Sequence, residues 1–280
     1  MELQLVSKRA ATKICVAILF VCIEIIGSTT LLAQTSKSAE STSLSCVDKA
    51  EAEAELLKQQ NKYVQEIEVL EKATQKCSLS EKLYTEISLK YLELGDSNYN
   101  ESHRGDSKDK KEYFYSGLDW ARKAIQADTT NNLGYEMVST SYAAILSVSS
   151  LRSQSKLADS VRIYAEKALF FNPENDRAIH ILGRWHYEVA NLSWFTKFMA
   201  GLLFGNKPDG SIDKAIEYFK MSVALDDFPV YRYWLGKGYL EAGEKEKAIK
   251  EFEYLQSLPY AQKNDDYFKQ EARKLIEKYK

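Results

Sequence analysis

From Val47 to the C-terminus, apolar side chains recur three and four positions apart in helix-length runs, separated by polar breaks. That period lines one face of an α-helix, so the runs predict amphipathic helices. They come in couples. Val47 to Lys76 reads as two helices broken near Asn61-Lys62. The second couple opens with EKLYTEISLKYLELGD and resumes with YFYSGLDWARKAIQAD, after a polar insertion from Ser97 to Lys111. The third opens with GYEMVSTSYAAILS and resumes with LADSVRIYAEKALFFNP. The fourth opens at Asn175 and resumes with SIDKAIEYFKMSVALD, after an insertion from Asn191 to Gly210. The fifth runs from Val230 to Leu258, and NDDYFKQEARKLIEKYK follows as a polar-faced capping helix with Asp265 at its predicted N-cap. Only 12 Gly and 4 Pro interrupt 280 residues, which fits an all-α chain.

A helix pair cannot bury its apolar face alone, so the couples must stack. In WLGKGYLEAGEKEKAIKEFEYLQSLP, Leu235-Gly236, Tyr239, Gly243, Ala248, Phe252 and Pro259 fall on or within one position of a known signature. The segment resembles the tetratricopeptide repeat, a helix–turn–helix unit. Leu255 departs from it, standing where a small alanine is usual. IHILGRWHYEVA supplies a second Leu-Gly pair, Leu182-Gly183. A glycine there costs about 1 kcal/mol of helix propensity and implies that the partner helix packs close to the backbone. The resemblance implies a right-handed α-α superhelix of about five helix pairs.

The segment from Asn172 to Leu225 narrows the resemblance. Leu-Gly-Arg-Trp at Leu182 to Trp185, Leu-Ser-Trp at Leu192 to Trp194, the apolar stretch after it and Lys167-Ala168 in the preceding repeat resemble the regulator of microtubule dynamics protein family. The likeness is strongest from about Ser155 to Leu225 and thin before Tyr113. It implies an irregular tetratricopeptide-like superhelix. The family's eukaryotic members act in the cytoplasm or at organelle membranes, so their role does not transfer with the fold.

The N-terminus is of another kind. Lys8, Arg9 and Lys13 precede the apolar ICVAILFVCIEIIG, and STTLLAQ follows. Basic, apolar, then small and polar is the order of an export signal, with cleavage expected after Ala33 despite Leu31 and Glu24. The ending LLAQ resembles bacterial signal endings, which implies a periplasmic mature chain. The alternative is an uncleaved anchor, although Ile14 to Gly27 is short of the roughly 20 residues that span a bilayer. The expected organisation is a leader over 1–33, a flexible lead-in over 34–46 and one helical domain over 47–280.

Without the leader, Cys46 and Cys77 remain. They bracket the first predicted hairpin, whose ends meet at its open side, so they are within reach of a disulfide. Two unpaired thiols are the alternative.

Charge and chemistry narrow the function. A net charge of −2 makes no case for nucleic acid or for an anionic membrane surface. The three histidines are His103, His180 and His186. The last two are about 600° of helix rotation apart and cannot share a metal. Ser107 and Lys110 form a lone S-x-x-K in a polar loop, and Arg104 to Asp106 a three-residue adhesion match too short to weigh. No HExxH, GxGxxG or phosphate-binding glycine loop occurs. The expectation is a non-catalytic chain without cofactor or metal.

Two surfaces then compete. In tetratricopeptide arrays the first helices line the inner groove. Mapped onto this chain, that face carries Glu136, Arg177, His180, Arg184, Tyr187, Tyr233 and Lys237, together with Thr140, Glu188, Leu240 and Glu241. Arginines and a lysine beside tyrosines suit an acidic or aromatic peptide segment of a protein partner. Arg184 has the alternative of pairing with a neighbouring acid as a structural residue. The other surface is the apolar insertion, with Trp194, Phe195, Phe198, Leu202 and Phe204. It either plugs the superhelix or forms the wall of a groove for a lipid or another apolar ligand.

Overall fold

The computed structural model describes residues 45–77, 81–95, 110–192, 209–260 and 264–280, with only the backbone considered for 151–156. Every regular element among them is an α-helix. In chain order these are α1 (Cys46–Gln59), α2 (Tyr63–Lys76), α3 (Glu81–Gly95), α4 (Lys110–Ala127), α5 (Asn132–Ser147) and α6 (Leu151–Phe171). Then follow α7 (Asp176–Ala190), α8 (Ile212–Leu225), α9 (Pro229–Glu241), α10 (Lys245–Ser257) and α11 (Asp265–Tyr279). Each odd-numbered helix from α1 to α9 packs on the even one that follows, giving five hairpins. The first helices α3, α5, α7 and α9 also touch in succession, and α11 closes the array on α9 and α10. This is the stacked-hairpin architecture expected from the sequence. No described helix is long and apolar enough to cross a membrane.

Local sequence explains the boundaries. Ser45 and Asp48 form a reciprocal capping box at the start of α1. The side chains of Asn131, Asn175 and Ser211 accept from backbone N–H groups at the starts of α5, α7 and α8. Pro229 opens α9, where its missing N–H has no intrahelical partner to lose. The first and last hairpins turn identically. Asn61 and Gly243 take positive φ, 57° and 78°. Asn61 N donates to Lys58 O and Lys62 N to Leu57 O, while Gly243 N donates to Leu240 O and Glu244 N to Tyr239 O. Both are Schellman closures, which need a left-handed residue at their centre.

Inside the hairpins, one small position of the first helix sets how closely the second approaches. A methyl on Gly183 would sit 2.7 Å from the Phe219 ring, and one on Gly236 2.4 Å from Phe252. The rings pack directly against bare backbone, which answers the cost of a glycine in each helix. In the second and third hairpins the same position is Ser88 or Ser139, whose hydroxyls donate to Gly117 O and Val161 O, each at 2.7 Å. The residues in register with the phenylalanines are there Ala121 and Ala165, also fully buried. Two gauges of packing therefore coexist: serine with alanine, then glycine with phenylalanine. Leu255, the departure from the repeat signature, is fully buried in the last hairpin.

Cys46 and Cys77 form a disulfide with their Cα atoms 5.6 Å apart, tying the start of α1 to the end of α2. Three boundaries differ from the sequence reading. Helix α4 starts at Lys110, inside the expected polar insertion. Helix α6 starts at Leu151, six residues before Leu157, because LRSQSK carries good helix formers but no apolar period to reveal them. The N-cap of α11 is Asn264 rather than Asp265, which is already helical and buried. The expected leader at 1–33, nearly all of the lead-in, His103, Ser107 and the apolar insertion residues Trp194, Phe195, Phe198, Leu202 and Phe204 lie outside the described residues.

Candidate functional site

The first helices α5, α7 and α9 bring together the residues mapped to the inner face. They meet as a ladder of polar and aromatic rungs, and most of it is buried. Glu136, His180 and Arg184 are each 1% exposed, Tyr187 5% and Tyr233 8%. Arg177 and Lys237 keep partial exposure.

The rung between α5 and α7 centres on Glu136. Its Oε2 accepts from Asn175 Nδ2 at 2.9 Å, and its Oε1 lies 3.6 Å from Arg177 Nη1. Burial raises the Glu136 pKa, with Arg177 and Asn175 pulling against that rise. Asn175 does two jobs. Its Oδ1 accepts from Ala178 N at 2.8 Å to cap α7, and its Nδ2 also reaches Asn132 Oδ1 at 3.0 Å. Nearby, Tyr231 donates to Asp176 Oδ2 at 2.6 Å, joining α9 to the first turn of α7. His180 packs between Tyr231 and Phe219, with ring centroids 4.7 and 5.5 Å away. Burial, and then the charge of Arg184, hold its pKa well below the usual histidine range, so the ring is neutral at physiological pH.

The next rung is Arg184. Its guanidinium carbon stands 3.3 Å from the centroid of the Trp234 ring, and its Nη2 3.4 Å from Glu188 Oε1. Trp234 also meets Tyr187 and Tyr233 edge to face, at 5.4 and 5.5 Å. Burial pushes Glu188 up to about 7 even though Arg184 and Lys237 oppose it. On the far side, Tyr187 donates to Glu241 Oε1 at 3.2 Å, and Lys237 Nζ lies 5.9 Å from the Tyr187 ring. Tyr233 faces elsewhere, with Phe268 of α11 and Phe252 of α10 at 5.2 and 6.0 Å.

The face mapped from the sequence is largely buried. Glu136, His180, Arg184, Tyr187 and Tyr233 are spent on neighbouring helices instead of standing open for a partner. Arg184 pairs with Glu188, the structural alternative raised for it. The reason is distance between repeats: α9 comes close enough to set Trp234 on the guanidinium. Sequence mapping did not identify Trp234, Asp176 or Tyr231 as ladder members, nor Asn175 as more than a helix start. Asn175 left a signal in its capping position; the others left none, since their partners lie on another repeat, 55 residues away for Tyr231 and Asp176. His180 and His186 do lie apart, the second stacking on Tyr218 at 5.6 Å.

Chemically the ladder is a set of ion pairs, hydrogen bonds and stacked rings. Its ion pairs are costly to bury and gain little over apolar packing. Two contacts of the ladder do cross between helices: the Glu136–Arg177 ion pair joins α5 to α7, and the stack of Arg184 on Trp234 joins α7 to α9.

A family model described as Regulator of microtubule dynamics protein 1-3 matches residues 36–280 of the chain. Regulator of microtubule dynamics protein 1 of Mus musculus is 24% identical over 170 residues, which are 60% of this chain and 56% of that protein. The protein of the same name in Caenorhabditis elegans is 27% identical over 172 residues, covering 60% of this chain and 75% of its own length. The chain therefore spans between about half and three quarters of these relatives. Among solved structures, a thermophilic TPR protein of Thermus thermophilus shares the fold with a TM-score of 0.57 at 15% identity, over 81% of this chain and 97% of that one.

Proposed function

We propose that this chain, which belongs to the regulator of microtubule dynamics protein family and folds as a tetratricopeptide-like array, is a non-catalytic module that holds a protein or peptide partner against its first helices. The ladder through α5, α7 and α9 carries this reading. A fold of this kind can be packed with apolar residues alone, and buried ion pairs bring it no clear gain in stability. Placed on one face of successive first helices, they set that face to a fixed shape. Preorganisation of this sort raises affinity by sparing the ordering cost on binding. The reachable groups along the edge are Lys237, Glu241 and Arg177, a mixed-charge rim around a rigid interior. Such a rim suits an acidic or mixed-charge segment with an aromatic anchor.

The Cys46–Cys77 bond and the leader-like N-terminus support a partner in an oxidising compartment, the periplasm if the source is bacterial. The relatives' name refers to microtubule dynamics. For this chain the reading stays with partner binding and assigns no polymer.

The test is site-specific photo-crosslinking in the native host. A photoreactive residue at Lys237 should trap one defined polypeptide, and the same residue at Phe170, on the second helix of the third hairpin, should trap none. Lys237→Glu should then weaken that partner's binding by about tenfold. Equal labelling from both positions, or none from Lys237 with the folded protein present, sinks the reading.

A further inference from the structure

Helix α1 is held differently from every other helix in the array. Its buried side chains are only Ala50 and Ala54, with Val47 and Leu57 half-buried along the same stripe. It packs on α2, and towards α3 it shares an apolar cluster through Ala50 and Ala54 and makes an ion pair, Glu51 Oε1 with Lys82 Nζ at 2.6 Å, whose lysine is 63% exposed. An exposed pair of that kind holds weakly. A lone helix of 14 residues is marginal in water whatever its composition. The firm link is the disulfide, and Cys46 is exposed while Cys77 is half-exposed.

Helix α2 is in the opposite position. Ile67 and Leu70 are buried in the cluster that also holds Leu83 and Ile87 of α3. Glu66 makes a buried ion pair with Lys90 at 3.0 Å, and Tyr91 donates to Glu71 at 2.8 Å. Removing α1 therefore leaves α2 docked on α3, with the side of its apolar cluster that Ala50 and Ala54 had covered now open.

We propose that α1 is a reducible cap: the Cys46–Cys77 bond holds it closed, and reduction releases it alone, uncovering an apolar face on α2. A dithiol reductant is the co-reactant. Its thiolate attacks one sulfur of the pair, breaking the S–S bond and forming a mixed disulfide. Its second thiol then closes a disulfide within the reductant. Two electrons and two protons pass to the protein, leaving Cys46 and Cys77 as thiols. Loop closure is lost, and the entropy of the freed segment favours α1 leaving over α1 remaining. The array would thus end in α1 in an oxidising compartment and in the open face of α2 in a reducing one.

Hydrogen exchange on the full chain, before and after dithiothreitol, tests this. Amides in 46–59 should exchange at least tenfold faster after reduction, those in α3–α11 should not change, and reoxidation should restore the first set. A Cys46→Ser, Cys77→Ser double variant should match the reduced protein at every dithiothreitol concentration, which separates the bond from other effects of the reagent. Unchanged protection in α1 overturns the proposal, because the helix would then hold without the bond. Loss of protection through α3–α11 also overturns it, as does a bond that reduces only when the whole domain unfolds.

Discussion

The guanidinium of Arg184 is clamped between the Trp234 ring, 3.3 Å from its centroid, and the Glu188 carboxylate, 3.4 Å away. A stacked planar cation in a buried site has no equivalent in lysine, whose ammonium is a strongly hydrated point charge. Arg184→Met should destabilise the fold by roughly 3 kcal/mol at pH 8, where Glu188 must either stay charged without its partner or take up a proton to remain buried. At pH 5 the loss should be smaller, since Glu188 is then protonated. The double variant Arg184→Met, Glu188→Leu should recover most of it, because an apolar pair replaces a buried ionic one. Urea denaturation at the two pH values measures all three variants.

Glu188 on its own gives a signed pH dependence. Its carboxyl titrates at about 7 in the fold, against 4.5 as an ordinary glutamate. As pH rises between those values the unfolded chain loses the proton first, so the native state binds more protons. The stabilising contribution is full below about 4.5 and disappears as pH rises through 7. Glu188→Gln removes that dependence. The stability difference, variant minus parent, should grow with pH across this window by up to about 3 kcal/mol. A flat difference from pH 4 to pH 8 counts against the buried, proton-holding carboxyl.

The two packing gauges can be exchanged. Gly183→Ser drives a side chain into the Phe219 ring, where a Cβ already lies at 2.7 Å, and should cost about 1–3 kcal/mol. Phe219→Ala alone opens a cavity and should cost about 3–5 kcal/mol. Together they rebuild the combination found at Ser88 with Ala121 and Ser139 with Ala165, so the costs should fall short of their sum by at least about 1 kcal/mol. A double-mutant cycle in urea checks it, and strict additivity would reject the idea of a matched pair.

Lys269 is buried at the start of α11 and donates from Nζ to Leu258 O and, at 3.5 Å, to Gln256 O, while lying 4.1 Å from the Tyr260 ring. These carbonyls lie at the end of α10, where the last carbonyls have no intrahelical donor. Lys269→Met keeps the volume and removes the donor. It should cost about 1–2 kcal/mol, with faster amide exchange confined to the last turn of α10 and the start of α11.

The hairpins, the Cys46–Cys77 bridge and the close approach at Gly183 were legible in the sequence because each depends on local spacing. Gly183 announces itself by standing in an apolar helix where alanine would be better. The first six residues of α6 were not legible, since LRSQSK carries no apolar period to mark a helix. The candidate face was legible only as a set of positions. Spacing along α7 placed Arg177, His180, Arg184 and Tyr187 together, but how deeply they sink depends on where α9 lies. That is settled by Trp234 and Tyr231, a repeat away. Asp265 failed for a smaller reason: Asn264 stands one residue earlier and takes the cap.

Asn175 begins α7 with its carbonyl and grips Glu136 of the preceding hairpin with its amide. The same side chain therefore serves a local element and the seam between two repeats. In a simple stacked array each unit folds on its own terms and neighbours add a separate interface energy. Here the two contributions cannot be separated at this seam. Parting the third hairpin from the fourth strips Glu136 of its amide donor, and turning Asn175 away to follow it uncaps α7. The third and fourth hairpins should therefore melt as one cooperative unit, with fraying from either end of the described array halting at this seam, which hydrogen exchange would show.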